Sequence, residues 1–147
     1  MELLELVARE HIRDTLARYN WSGDSLRLDE FVQTFCEDGE LQLRGRVPVR
    51  GRAAIAEFLG GVAPPQTGVA RIVRHNLTNI RSLELTSDRG RFASYFTVVT
   101  EIGLDHCGRY RDTFVRVGDE WLIQHRLVST DWAAPNSTMA SRTADTE

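Results

Sequence analysis

Moving a proton near neutral pH calls for a side chain that titrates there, and histidine, at about 6.5, is the usual choice. The chain has four histidines, His11, His75, His106 and His125. No amine competes with them, because the Lys+Arg total of 18 is arginine throughout. That absence excludes a side-chain Schiff base, a phosphate-loop lysine, pyridoxal catalysis and protein-kinase chemistry. Any positive charge in a site must be a guanidinium. It can hold a carboxylate or enolate but cannot act as a base. The two cysteines, Cys36 and Cys107, and the histidines show no metal-ligand spacing, so no metal is expected.

Each candidate has a plain structural reading beside a chemical one. His75 stands in Arg74-His75-Asn76-Leu77 at the start of a strand and shares a face with Leu77. It is either a core histidine bonded to a carbonyl or a base. Asp24 precedes or begins the second helix, where it would cap the helix or serve a histidine. Tyr19 ends the apolar face of the first helix, as a core tyrosine or as a hydroxyl donor. Arg126 falls opposite Trp121 by regular strand alternation, and reaches a pocket only if a bulge shifts the register. His106, in Asp105-His106-Cys107-Gly108, precedes a strand and reads as a turn residue or a pocket contact. His125 shares a face with Trp121 and Ile123, and His11 lies on a charged helix surface.

These residues need elements to position them. Leu4, Ala8, Ile12, Leu16 and Tyr19 give the first helix one apolar face, and Ser22-Gly23-Asp24-Ser25 should end it. Leu28, Phe31, Val32 and Phe35 mark a second helix, stopped at Asp38-Gly39. A strand over 40–49 ends at Pro48. A third helix opens at Gly51, turns Ala54, Ile55, Phe58 and Leu59 inward, and ends at Gly60-Gly61, with Pro64-Pro65 forbidding its return. Four strands follow, over 73–85, 91–102, 108–117 and 121–131, with connections short enough for antiparallel hairpins. Helices followed by strands mean α+β. The expected architecture is a cone-shaped barrel, with N-terminal helices packed on a curved, mainly antiparallel sheet whose mouth forms an apolar pocket. Its walls would include Leu16, Trp21, Phe35, Phe58, Leu77 and Phe114, suiting a small, apolar, cyclic ligand.

One domain over 1–132 with a flexible tail over 133–147 fits the length. A net charge of −3 gives no bulk attraction to nucleic acid or an anionic membrane, and no apolar run is long enough to span one. The N-terminus alternates apolar and charged residues, unlike a signal peptide, so a cytoplasmic location is expected.

The span from about residue 5 to 132 resembles the SnoaL-like branch of the nuclear transport factor 2-like superfamily. The matching pieces are Arg18-Tyr19 with Gly23-Asp24, Phe31 with Phe35 and Asp38-Gly39, and Gly51-Arg52-Ala53-Ala54-Ile55 with Phe58. They continue as Arg74-His75-Asn76, Gly108-Arg109-Tyr110-Arg111-Asp112, and Trp121-Leu122-Ile123 with His125-Arg126 and Asp131-Trp132. That family includes scytalone dehydratase, bile acid 7α-dehydratases, hexachlorocyclohexane dehydrochlorinase, ketosteroid isomerase and polyketide cyclases. It also includes the non-catalytic small subunits of ring-hydroxylating dioxygenases. The resemblance implies that Asp24 and His75 form a pair, with Tyr19 and Arg126 in the same site. The ketosteroid isomerase pattern of two pocket carboxylates is not met. The strand over 91–102 offers Phe92, Ser94, Phe96 and Val98 on one face and Ala93, Tyr95, Thr97 and Val99 on the other, and neither set has a carboxylate. Tyr95 or Thr97 would then supply a polar contact, with His106 nearby.

The expected activity is a cofactor-independent lyase or isomerase of the dehydratase or cyclase type. Asp24 would fix the tautomer of His75, His75 would take a proton beside a carbonyl, and Tyr19, with Arg126 or Tyr95 as alternatives, would stabilise the resulting oxyanion. The alternative is a non-catalytic binding or scaffold module. A homodimer or higher homo-oligomer is expected from the family, which often pairs through the outer sheet face, here carrying Arg91, Arg109 and Arg111.

Overall fold

A computed structural model of the chain describes residues 1–62 and 72–139. The elements are α1 (Leu3–Asp24), α2 (Leu28–Val32), β1 (Phe35–Leu43), β2 (Val49–Arg50), α3 (Arg52–Val62), β3 (Arg74–Leu85), β4 (Arg89–Thr100), β5 (Gly103–Val117) and β6 (Glu120–Ala133). The class is α+β. The strands make one six-stranded sheet in the order β2-β1-β6-β5-β4-β3. All neighbours are antiparallel except β1 and β6, which run parallel. The sheet stays open, with β2 and β3 at its edges, so the cone is not a barrel closed by strand pairing. Instead α1 spans the gap and touches both β6 and β3.

α1 runs further than its turn formers suggest. Ser22 returns its hydroxyl to the carbonyl of Arg18 at 2.5 Å, satisfying itself inside the helix. Gly23 marks a close approach rather than a break, since a Cβ there would lie 3.2 Å from the Phe31 ring. The true stop comes after Asp24. Arg27 N–H donates to Ser22 O at 2.9 Å and Leu26 N–H to Gly23 O at 3.1 Å, the paired bonds of a Schellman turn, with Leu26 at φ +55 where glycine is usual. Asp24 is therefore the last residue of α1 and does not cap α2, whose N-cap is Arg27.

α2 stops at Val32, and Phe35 opens β1 instead of extending the helix. α3 continues through Gly60-Gly61 to Val62, and Ala54 faces solvent while Ile55 is fully buried. Pro64-Pro65 lies outside the described residues. The core gathers Ile12, Leu16 and Tyr19 from α1 with Phe31, Phe35, Ile55, Phe114, Trp121 and Ile123. Thr15 ties helix to sheet by donating to the Trp121 carbonyl at 2.6 Å.

Three irregularities shape the concave face. On β6 the register slips between the Thr113–His125 and Phe114–Ile123 pairs, leaving Gln124 as an extra residue. That bulge turns Arg126 inward and separates His125 from the face of Ile123. On β3, Asn79 adopts φ +55 where the register slips between Thr78 and Arg81. On β5, Gly108 lets the strands close, since a Cβ there would collide with the Ser129 carbonyl. The first part of the segment expected to fray, through Thr138, is bonded to the sheet. Ala133 ends β6, Ala134 N–H donates to Asp105 O at 2.8 Å, and Ser137 and Thr138 both bind the Asp105 carboxylate. Residues 140–147 lie outside the described residues.

Candidate active site

A carboxylate at the C-terminal end of a helix gains nothing from the helix dipole, so its placement calls for another partner. For Asp24 that partner is His75, the second residue of the edge strand β3. Asp24 Oδ1 lies 2.5 Å from His75 Nδ1, and Asp24 Oδ2 accepts the His75 backbone N–H at 3.0 Å. One carboxylate thus joins the helix end to the strand start and orients the imidazole. In the neutral imidazole, an Nδ1–H donated to Asp24 leaves Nε2 as the acceptor. Among the described residues it has no hydrogen-bond partner.

The pair opens onto a cavity of about 550 Å³ between α1 and β3. Leu16, Ala17, Asn20 and Trp21 line it from the helix, and Leu77 and Ile80 from the strand. Arg13, Arg74 and Asn76 lie at its margins. Trp21 is 74% exposed, so it forms the rim rather than a closed wall.

Arg126 and Tyr19 stand behind this cavity and are not among its lining residues. Arg126 is fully buried and holds Asp112 through two hydrogen bonds, Nε to Oδ1 at 2.7 Å and Nη2 to Oδ2 at 2.8 Å. Its guanidinium is sandwiched between the Tyr19 ring at 4.2 Å and the Tyr110 ring at 3.8 Å. Burial by itself would lower its pKa, but the Asp112 charge and hydrogen bonds hold it above the ordinary arginine value. Burial raises the Tyr19 phenol, against the opposing pull of Arg126, and raises Tyr110 further. Both phenols are neutral at neutral pH. Arg126 with Asp112 works as a pillar that seats α1 on the sheet.

The other expected contacts scatter. Leu77 and Trp21 meet at the cavity. Phe35 and Phe114 are fully buried in the core, and Phe58 packs against that core, because β1 and the β6 bulge draw the aromatic rings together below the cavity. Tyr95 and Thr97 point to the outer sheet face, as the pairing of β4 turns Phe92, Ser94, Phe96 and Val98 inward. His106 belongs to β5 and is not a turn residue. It is buried against Asp105, with Nδ1 2.7 Å from Oδ1, and packs edge-on against Phe96. His125 bonds Gln42 at 2.9 Å. Asn20 and Arg13 were not singled out by residue type, although their spacing from Asp24 on one helix, i−4 and i−11, places them on one side. Among the described residues no group of His, Cys, Asp and Glu could hold a metal, and no helix is long and apolar enough to cross a membrane.

The model of the SnoaL-like domain matches residues 4–127. The chain belongs to the SnoaL-like family. This places it in the nuclear transport factor 2-like superfamily. A search of curated proteins found no match. Among solved structures, a candidate scytalone dehydratase from Novosphingobium aromaticivorans is 21% identical, with a TM-score of 0.77 over 91% of each chain. A protein of unknown function with a cystatin-like fold from Nostoc punctiforme is 22% identical, with a TM-score of 0.75 over 86% of this chain and 93% of its own. ActVI-ORFA from Streptomyces coelicolor is 20% identical, with a TM-score of 0.74 over 84% of this chain and 96% of its own. At such identities the likeness to these structures speaks for the fold.

Proposed function

We propose that this SnoaL-like domain is a cofactor-independent lyase or isomerase, of the dehydratase or cyclase type, acting on a small, apolar, cyclic carbonyl compound. The observation that carries this reading is the Asp24–His75 pair, in which Nδ1 is held at 2.5 Å, Nε2 has no partner among the described residues, and His75 lines a cavity. A neutral imidazole with a fixed tautomer is a general base. Nε2 takes a proton from the carbon next to the carbonyl, and the electron pair moves to the carbonyl oxygen. Asp24 stabilises the imidazolium that forms. Return of the proton to a departing β-hydroxyl releases water. Return to another carbon shifts the double bond. The occurrence of a candidate scytalone dehydratase among the structural neighbours agrees with the first outcome without selecting it.

Proton abstraction can be tested without the native substrate. The α-hydrogens of cyclic ketones such as 2-tetralone and 2-decalone exchange in D₂O, and NMR follows the loss of signal. The native domain should accelerate exchange above buffer, and His75→Ala should remove the acceleration. A folded His75→Ala protein that exchanges as fast as the native one would sink the reading, as would a native domain inert toward every ketone tried.

A further inference from the structure

The residues of α1 that line the cavity are Arg13, Leu16, Ala17, Asn20, Trp21 and Asp24, one helix stripe at i, i+3, i+4, i+7, i+8 and i+11. Asp24 with His75 stands at one end of the stripe and Arg13 at the other. The helix rises about 16 Å between them. Leu16 and Ala17 from α1 and Leu77 and Ile80 from β3 make the lining between largely apolar. The cavity therefore has an imidazole at one end and a permanent positive charge at the other. Arg13 is also the arginine of α1 that the fold leaves alone. Arg9 pairs with Glu5 at 2.7 Å and Arg18 with Asp14 at 3.1 Å, each one turn back along the helix. One turn back from Arg13 is Arg9, a like charge, and one turn on is Ala17. Among the described residues the Arg13 guanidinium has no hydrogen-bond or ion-pair partner, and Glu10 at i−3 does not pair with it. The cavity itself supplies no anion to it. Asp24 is the one carboxylate among the described lining residues, and His75 takes both of its oxygens. Arg74 lines the cavity too, but it adjoins His75 in sequence and its guanidinium turns back to the Val73 carbonyl at 2.9 Å.

We infer that the substrate is a cyclic carbonyl compound with a carboxylate at the end remote from the reacting carbon, and that Arg13 binds this carboxylate. The inference rests on the proposed proton-transfer reading and narrows its substrate class from an apolar compound to one with an apolar body and one anionic end. A guanidinium can hold a carboxylate through two parallel N–H bonds, which fixes direction as well as charge. Held in this way, the compound enters in one orientation, with its carbonyl end toward His75. Arg13 is a positioning residue and touches none of the reacting atoms. It is exposed at the mouth, so the ion pair stays in contact with water and its worth is modest and salt-dependent.

The test uses 6-hydroxy-2-naphthoate, which places an enol-like oxygen and a carboxylate at opposite ends of a fused ring, and the neutral 6-hydroxy-2-naphthamide of the same shape. Titration calorimetry reads both affinities without turnover. The native domain should prefer the naphthoate by about fivefold at low salt, the upper worth of an exposed ion pair, and high salt should shrink the preference. Arg13→Gln should erase it and leave naphthamide affinity in place. Arg18→Gln removes the same net charge from the same helix and should leave the preference intact, as should Arg74→Gln. Exchange in D₂O gives a second readout. For 6-carboxy-2-tetralone, Arg13→Gln should raise KM about fivefold with kcat unchanged, and exchange of 2-tetralone should not respond. A merely structural role for Arg13 would move both ketones and both naphthalene ligands together. The inference is overturned if the native domain shows no preference for the naphthoate, if the preference survives Arg13→Gln, or if Arg18→Gln or Arg74→Gln reduces it as much as Arg13→Gln does. If no ketone exchanges while the Arg13-dependent preference holds, the proton-transfer reading falls and the anion-binding end of the cavity stands. If ketones exchange and the preference is absent, this inference falls alone.

Discussion

Two aspartate–histidine pairs lie among the described residues, and they have opposite fates. Asp24 and His75 are 51 residues apart, come from a helix end and an edge strand, and border a cavity. Asp105 and His106 are sequence neighbours in β5, and Asp105 has no exposed surface. The Asp105 carboxylate also accepts bonds from Ser137 Oγ at 2.6 Å, from Thr138 N–H and Oγ1 at 3.0 Å each, and from Thr100 at 3.3 Å. Its acceptor capacity is filled by protein, and the result is a clasp that holds the chain beyond β6. Among the described residues Asp24 makes two bonds, both to His75, and the far imidazole nitrogen has no partner. The same pair of residue types is saturated inside the fold in one place and left with an open nitrogen beside a cavity in the other.

That contrast can be broken by exchanging losses between the pairs. The largest effect should come from Asp24→Asn. Asparagine keeps an oxygen for the His75 backbone N–H, but its amide would donate to Nδ1 and drive the imidazole proton to Nε2. Ketone exchange should fall about a thousandfold, while chemical denaturation shifts by less than about 1 kcal/mol. A large loss of stability with activity retained would make Asp24 a second clasp.

Arg126→Met should come next, costing about 3–5 kcal/mol because it strands the buried Asp112 carboxylate. Adding Asp112→Leu should restore most of that, and urea titration of the two proteins gives the comparison. A double variant as unstable as the single one would mean that the pillar acts through its aromatic stacking rather than its charge.

Asp105→Asn should cost about 2–3 kcal/mol by leaving donors unmatched, with exchange activity per folded molecule unchanged. The same residue sets an acid limb. Burial pushes its pKa up, but bonds from Ser137, Thr138 and His106 outweigh burial and hold it well below the ordinary 3.8. A carboxyl depressed in the folded state contributes stability that is present above its unfolded pKa and is lost as pH falls through the folded value. Native stability should therefore decline on acidification below about pH 4, and the decline should be shallower in Asp105→Asn. Equal slopes would remove Asp105 from that role.

The smallest effect is expected at the turn that ends α1. Leu26→Gly should relieve the left-handed strain and raise stability by about 0.5–1 kcal/mol. A loss would show that the Leu26 side chain contributes packing there.

Local patterning made the architecture legible. The helix face from Ala8 to Tyr19 and the alternation of β3 to β6 were sufficient, because periodicity reports which side of an element is buried. Boundaries were not legible where one residue could serve two purposes. Ser22-Gly23 looks like a turn, yet the serine caps itself within the helix and the glycine admits Phe31. The Asp24–His75 contact followed from the family resemblance, since 51 intervening residues leave no local trace of it. Arg126 depended on a single extra residue, Gln124, and no strand pattern announces a bulge. Tyr95 and Thr97 were assigned to the wrong side because both faces of β4 are equally rich in apolar residues, so polarity could not choose between them. Phe35 and Phe114 are apolar enough for a pocket wall or for a core, and composition does not separate the two.

The bond from the His75 backbone N–H to Asp24 Oδ2 at 3.0 Å has one more consequence. β3 is an edge strand, so the amide at its start is sheltered by the carboxylate that also orients the imidazole. When that end of the strand lifts away, the amide becomes open to solvent and the base loses its tautomer in the same motion. Hydrogen-exchange protection at this one amide thus reports the opening equilibrium of the docked arrangement on which the proposed function depends. A substitution anywhere in α1 or β3 that loosens the docking should lower protection well before it lowers the closed fraction, which stays near one until protection is almost lost.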